Sequence, residues 1–429
     1  MATAKLKREL GLFHATAIGV GLILGAGIYV LIGEATATAG NATWFAFILS
    51  AIVALLTGLS YAELSSMYPT DAGEYKYTKE AFGRGLAFFV GYFVLLSAII
   101  SSATVAAGFS GYFNALFNFD NVFLVSVLVI IGFSIINYRS IKESAWANVI
   151  FTGLEIIGLI VIIVLGMMYG KDVGLLDMPF GIEGVFKASA LVFFAFLGFE
   201  SVIKLAEEVK NPRKTIPLAL LLSIGITTAL YLMVAIAAVS VMDWDVLATS
   251  SAPLADVAAM VLGNNAFIVI SVIALFSTGN TVLISLIAGS RTLYGIGEYY
   301  KALKPFHKVH KKRKTPHIAI LTVMLLAIAF SFIKDVGLIA ELTNFTIFIT
   351  FAIINLAVIA LRFKHPEKQR KFKMPANLGR MPILAFFGFL TCIFFISQIE
   401  TMIVLGGFGL ILTGIIAYLF VHTFEKQRN

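Results

Sequence analysis

Charge is scarce in this chain. Of its 429 residues, 13% are charged and 59% hydrophobic, where a soluble domain carries about 25% charge. A sizeable water-exposed domain is excluded by that balance. Cysteine is almost absent: the single Cys392 lies in an apolar run, which rules out a disulfide framework and a thiolate metal cluster. The six histidines (His14, His307, His310, His317, His365, His422) fall mostly in loops or at the ends of apolar runs. His307 and His310 lack accompanying Cys or carboxylate ligands, so neither a metal site nor a cofactor is expected. The patterns G-x-x-x-x-G-K-[ST], H-E-x-x-H and G-x-S-x-G are missing too, which argues against ATP-driven work and against an integral membrane enzyme.

What the chain does have is apolar length. Its mean hydropathy is +0.94, and a helical span needs roughly 20 apolar residues. Twelve such stretches are expected: 12–38, 43–67, 85–113, 121–138, 145–170, 184–209, 216–242, 266–297, 316–333, 336–361, 382–399 and 402–422. The basic start (Lys5, Lys7, Arg8) resembles the head of a signal peptide, but the run behind it is too long and lacks a cleavage site. It reads as the first span.

The net charge of +8 does not point to nucleic acid, because the basic residues sit in short loops. The termini and the loops on their side collect 29 of the 32 Lys and Arg, among them Lys76, Lys79, Arg139, Lys142, Arg213, Lys214, the run Lys311 to Lys314, and Arg362 to Lys373. Only Lys171, Lys187 and Lys334 fall on the other side, with Glu34, Asp120, Asp172, Asp177, Asp243 and Asp245. The positive-inside rule then places both termini in the cytoplasm of a multi-pass cell-membrane protein. The basic runs read as topology determinants touching anionic lipid headgroups.

The first span carries the densest glycine pattern, GVGLILGAGIY from Gly19 to Tyr29. Gly disfavours helix by about 1 kcal/mol relative to Ala, and hydrocarbon offers no hydrogen-bond partners to freed backbone. A break there is tolerable only where it faces protein or a polar cavity, and its freed N–H groups suit an anion. The bland alternative is close helix packing, for which Gly21 and Gly25 are correctly spaced. A second interrupted span, FFAFLGFESVIKLAEEVKNP from Phe193 to Pro212, has Gly198 at its middle, followed by Glu200, Lys204 and Glu207. Breaks in spans one and six correspond if spans one to five repeat, inverted, as six to ten. Such paired breaks mark a midplane transporter site. The expected organisation is an all-α membrane protein of about twelve spans: residues 1–170 as one five-helix repeat, 171–363 as its inverted copy, and 364–429 as a linker with two extra spans.

Three stretches, GLILGAGIY, YAELSSMYPTDAGEYKYTKEAFG (Tyr61 to Gly83) and FFAFLGFESVIKLAEEVKNPRKTIP (Phe193 to Pro217), resemble the amino acid–polyamine–organocation transporters, above all prokaryotic amino acid permeases. The resemblance covers essentially the whole chain. It implies an inverted five-plus-five repeat around one central site. There the substrate carboxylate meets N–H groups of Ala26 and Gly27, with Gly25. The amine meets carbonyls of Ile23, Phe194 and Leu197 beside Gly198. Phe194 and Phe199 are the implied aromatic gates.

Charged and polar residues within spans are functional candidates by default. Glu200, after the span-six break, corresponds to a family position linked to proton sensing or gating; otherwise it is locked to a neighbouring donor. Glu155 is the most isolated charge of any span, and desolvation favours its protonated form. Some proton-coupled relatives carry a lysine there, but this chain offers Glu155, or Leu154 if the alignment slips by one. Glu155 is therefore either a proton carrier or a structural carboxylate. Ser277, Thr278, Asn280, Thr281 and Ser285 in span eight either complete an ion site, as in sodium-coupled relatives, or bond their own helix. Ser97, Ser101 and Ser102 carry the same ambiguity about the pocket. Glu63 either pairs with Arg291 to close an inner gate or is solvated at the interface.

The function expected is secondary active amino acid transport by alternating access, coupled to protons. Exchange, sodium coupling and a polyamine substrate are the alternatives, with a substrate sensor or a channel more remote. The small apolar lining (Ala26, Ala195, Leu197, Gly198) suggests neutral amino acids. The expected partners are the substrate, protons and membrane lipid, without nucleic acid, for a monomer or homodimer.

Overall fold

The computed structural model describes residues 10–69, 73–139 and 141–426. Lys5, Lys7 and Arg8 lie outside the described residues, as do Thr70, Asp71 and Ala72 of the second motif and the side chains of Lys142, Lys204 and Glu207.

The first apolar segment is two helices, α1 (Leu12–Ile23) and α2 (Ala26–Ala39), and a 3-10 turn leads into α3 (Thr43–Met67). After the short α4 (Gly73–Phe82) come α5 (Arg84–Phe117), α6 (Val122–Arg139) and α7 (Ile141–Tyr169). The sixth segment starts as α8 (Gly181–Val192) and continues in two 3-10 stretches, Phe193–Phe196 and Phe199–Glu207. It is followed by α9 (Pro212–Val241), two short helices, α10 (Trp244–Ala248) and α11 (Pro253–Leu262), and α12 (Asn264–Tyr299). Another 3-10 stretch, Lys301–His307, precedes α13 (His317–Phe330) and α14 (Val336–Lys364). A small antiparallel hairpin, β1 (Asn377–Leu378) with β2 (Met381–Pro382), precedes α15 (Ile383–Gln398) and α16 (Thr401–Lys426).

Among the described residues nine stretches are long and apolar enough to cross a membrane unaided. One of them, Ala26–Met67, contains both α2 and α3. With α13 and α15, which are apolar but shorter, and with α1 completing the first span, the twelve expected passes are accounted for. At 1.5 Å per residue α13 is about 21 Å long, so its flanking residues must cover the rest of a hydrocarbon core of about 30 Å.

Burial sorts the passes. Most of the apolar windows of α5 and α14 are buried within the protein, whereas α16 shows Met402, Leu405, Phe408, Leu412, Ile416, Leu419 and Phe420 on its surface. Such an apolar exterior is intelligible only against lipid, since soluble proteins rarely expose large contiguous apolar patches. The two broken segments sit together inside. Helix α1 packs on α9 and on the second half of the sixth segment, and α2 packs on α8. A parallel bridge between Leu10 and Val209 ties the two segments again at their ends, through Leu10 N–H to the Glu208 carbonyl at 3.1 Å and Lys210 N–H to the Leu10 carbonyl at 2.8 Å.

Candidate functional site

Both glycine-marked segments break where the sequence places the breaks. Helix α1 ends at Ile23, Leu24 and Gly25 run extended, and α2 begins at Ala26. In the sixth segment Leu197 is extended and Gly198 has φ +114°, a left-handed geometry that costs a residue with a Cβ far more than glycine. The glycines have a second role. A Cβ on Gly27 would lie 2.4 Å from the Cα of Ala195, and one on Gly198 would lie 2.0 Å from the Leu22 carbonyl oxygen. Each break therefore uses its glycine to let the other's backbone come into contact.

Tyr231, from α9, joins the two. Its hydroxyl lies 3.1 Å from the Ile23 carbonyl and 3.0 Å from the Ala195 carbonyl, and it shares its proton between carbonyls that a broken helix leaves unsatisfied. Ile23, expected to meet a ligand amine, is thus already bonded on one lone pair. The Phe194 carbonyl likewise accepts from Leu197 N–H at 3.2 Å. A carbonyl has a second lone pair, so neither is closed to a ligand.

At the start of α2, the N–H of Ala26 donates to Thr281 Oγ1 of α12 at 3.1 Å, and that hydroxyl donates to the Ser277 carbonyl at 3.1 Å. Thr281 therefore caps α2 from another helix. Gly25 and Gly27 remain as the N–H groups at this positive helix end that suit an anion.

Between these elements lies a cavity of about 120 Å³. Ile23, Gly25, Ala26, Gly27, Phe194, Leu197 and Gly198 all line it, as do Glu200, Ser201, Ser97 and Ser101 of α5, and Thr281, Ser285 and Thr292 of α12. It extends from the breaks toward the face where α5 begins and α12 ends. Glu200 is both cavity wall and local brace, since its Oε2 accepts the Gly198 N–H at 2.9 Å. Ser101 and Ser285 face each other at 3.5 Å. Ser102 is fully buried, donates to the Ile99 carbonyl and does not line the cavity.

Other expected residues are not gathered here. Phe199 lies outside the cavity, because the left-handed turn at Gly198 sends the next side chain into the core. There it packs edge-on against Tyr61 at 5.9 Å and tilted against Phe351 at 5.2 Å. Phe194 alone of the two aromatic candidates lines the cavity. The span-eight candidates divide as well. Thr278 bonds the Ala274 carbonyl of its own helix, Asn280 is buried, and Thr281 is the cap just described. Ser277 faces Glu155 of α7. Glu155 is 1% exposed, and the Ser277 hydroxyl is the polar side chain its carboxyl faces. Its own backbone carbonyl accepts from the Tyr29 hydroxyl of α2 at 2.9 Å.

Glu63 neither pairs with Arg291 nor is solvated at the interface. Arg291 is exposed on α12, while Glu63 is fully buried and held by Arg362 of α14, with Nε to Oε1 at 2.8 Å and Nη2 to Oε2 at 2.5 Å. Arg370 adds a contact at 3.3 Å and the Met374 N–H one at 2.9 Å. The bidentate fork of an arginine on the neighbouring helix matches the two carboxylate oxygens one to one. Arg362 is therefore an internal counter-ion and not a lipid contact. Tyr231 and the capping role of Thr281 escaped the sequence reading: a tyrosine in an apolar helix reads as core, and nothing in the pattern marks which backbone a threonine will meet.

Residues 10–420 match the family model for amino acid permeases. The chain is 30% identical to the branched-chain amino acid permease BcaP of Bacillus subtilis, over 99% of this chain and 95% of that protein. It is 32% identical to the methylthioribose transporter of the same organism, over 86% of this chain and 84% of the relative. With cationic amino acid transporter 2 of Arabidopsis thaliana, a vacuolar protein, the identity is 28%, over 87% of this chain and 62% of that one. Paired helix breaks at one cavity, a multi-pass apolar fold and these similarities agree: the chain belongs to the amino acid permeases of the amino acid–polyamine–organocation superfamily, which are transporters and not enzymes.

Proposed function

We propose that this permease is a secondary active transporter of neutral amino acids that works by alternating access in symport with a proton. The observation that carries the reading is the contact of the two breaks at one cavity. The N–H groups of Gly25 and Gly27 stand at a helix start, and the carbonyls of Phe194 and Leu197 at a helix end. Those ends carry opposite partial charges, which suit the carboxylate and the ammonium of one zwitterion without a charged side chain. The reciprocal glycine contacts between the breaks support residues 1–170 and 171–363 as inverted repeats.

The charge asymmetry of the loops supports cytoplasmic termini in the cell membrane. With that orientation the cavity lies on the cytoplasmic side of the breaks, and the conformation is an inward-facing one. Glu155, buried beside α12 without a countercharge among the described residues, is the proposed proton carrier, and Glu200 couples the span-six break to the bound substrate. The similarity to a branched-chain permease over nearly the whole chain supports leucine, isoleucine and valine as the first substrates to test. Glu200 in the cavity wall, together with the cationic relative, supports a second reading in which lysine or arginine is carried.

The test is uptake into liposomes holding the purified protein, with membrane potential clamped. A pH gradient of one unit, acidic outside, is expected to drive up to about tenfold accumulation of a branched-chain amino acid at one proton per substrate. A sodium gradient is expected to drive none. Uptake that needs preloaded counter-substrate and ignores both gradients would make the protein an exchanger.

Gly198→Ala tests the site itself. Its Cβ meets backbone, which cannot swing aside as a side-chain tip can. The variant is expected to reach the membrane and lose at least about 90% of uptake, the breaks having been forced apart by a cost of roughly 1–3 kcal/mol. Normal uptake by this variant would show that contact between the breaks is dispensable.

A further inference from the structure

We propose that a second cavity, between α5, α12 and α16, is a binding site for one acyl chain of an anionic phospholipid, whose headgroup rests on Lys304 and Lys308. The cavity holds about 170 Å³, and among the described residues no polar atom is exposed in it. Phe88, Tyr92, Leu293, Ile296, Leu303 and Val421 are among its walls. Tyr92 presents only its ring, because its hydroxyl is engaged by Thr413 at 2.6 Å and by the Leu410 carbonyl at 3.2 Å on α16. An apolar cavity of this kind stays dry, and left unfilled it forfeits dispersion contacts along its whole lining. In a bilayer the abundant apolar filler is a lipid tail.

Position and charge select the lipid. The cavity lies where α5 begins and where α12 and α16 end. Leu303 belongs to the 3-10 stretch Lys301–His307, so the exposed Lys304 and Lys308 stand next to the wall it forms. Between residues 301 and 314 seven side chains are Lys or Arg. The acidic groups nearby are Glu298, which is exposed, and Glu425, which accepts the Lys301 N–H at 3.3 Å. A net positive rim attracts anionic headgroups. The same charge disfavours a second copy of this chain, which would bring two basic segments together.

Native mass spectrometry of the full chain, delipidated and then given phosphatidylglycerol or phosphatidylcholine with identical tails, reads both occupancy and oligomeric state. One phosphatidylglycerol per chain is expected to be retained about tenfold better than phosphatidylcholine. Ala417→Phe, which fills the cavity, is expected to lose both lipids. Lys304→Gln with Lys308→Gln, a surface change that leaves the helices alone, is expected to lose only the preference between headgroups. Equal retention of the two lipids by the native chain would overturn the proposal, as would retention unchanged by Ala417→Phe. So would a dimer that Ala417→Phe converts to monomer, because the face would then belong to another copy.

Discussion

Glu63→Gln is expected to be the most damaging single substitution in the protein. The glutamine keeps the shape but withdraws the charge, and it leaves Arg362, 4% exposed, and the half-buried edge of Arg370 facing a neutral amide. Removing one partner of a buried ion pair costs about 3–5 kcal/mol, because the other charge stays desolvated. The damage extends beyond one contact. Glu63 also accepts the Met374 N–H, Arg362 bonds the Asn377 side chain, and Ser66 donates to the Phe372 carbonyl at 3.1 Å. Together these pin the segment between α14 and α15 to the end of α3.

Thermal unfolding in detergent, followed by size-exclusion chromatography, should show Glu63→Gln melting at least about 5 °C below the native protein, or failing to accumulate. The double variant Glu63→Leu, Arg362→Leu should recover part of that loss, since apolar replacement of a whole buried pair is often close to neutral. Arg291→Ala should stay within about 0.5 kcal/mol of native, as exposed positions do. A Glu63→Gln protein with native thermal stability would mean that the pair contributes nothing to the fold.

That pair also marks a boundary of what sequence can reveal. Membrane passes were legible because hydrocarbon demands long apolar helices whatever their neighbours. The breaks were legible because glycine at membrane depth needs a reason, and Gly27 and Gly198 have one in the backbones they touch. Glu155 was legible by its isolation. Partnership was not. Arg362 sits in a basic run that looks like a lipid contact, yet the end of α14 turns it inward onto Glu63, 299 positions away. Thr281 reads either as an ion ligand or as a hydroxyl bonded to its own helix; it does bond the Ser277 carbonyl and also caps α2, while Tyr231, which the sequence does not single out, bridges two helix ends. Phe199 is a gate only by family resemblance, and its ring lies in the core beside Tyr61 and Phe351, after the positive φ of Gly198. Each of these depends on tertiary approach between segments far apart in the chain, which composition and periodicity do not encode.

Glu155→Gln is expected to separate accumulation from exchange. The carboxyl is 1% exposed, faces the Ser277 hydroxyl and is in no ion pair among the described residues, so an ionised Glu155 would be a charge without a counter-ion in an apolar setting. Its backbone touches α2, the second half of the first broken segment. Its carbonyl holds the Tyr29 hydroxyl, and the Tyr29 carbonyl in turn holds the Tyr112 hydroxyl at 2.9 Å. The backbone at Glu155 is thus tied to α2 just beyond its break. Glutamine resembles the protonated acid and never ionises, so the variant should still rearrange while carrying no proton. In liposomes with the potential clamped, a one-unit pH gradient should give up to about tenfold accumulation with the native protein and none with Glu155→Gln. Exchange of labelled for unlabelled substrate should proceed in both. Glu155→Asp, which keeps the titrating group, should retain part of the accumulation. Should Glu155→Gln still concentrate substrate like the native protein, the proton travels by another group, and Glu200 becomes the residue to replace next.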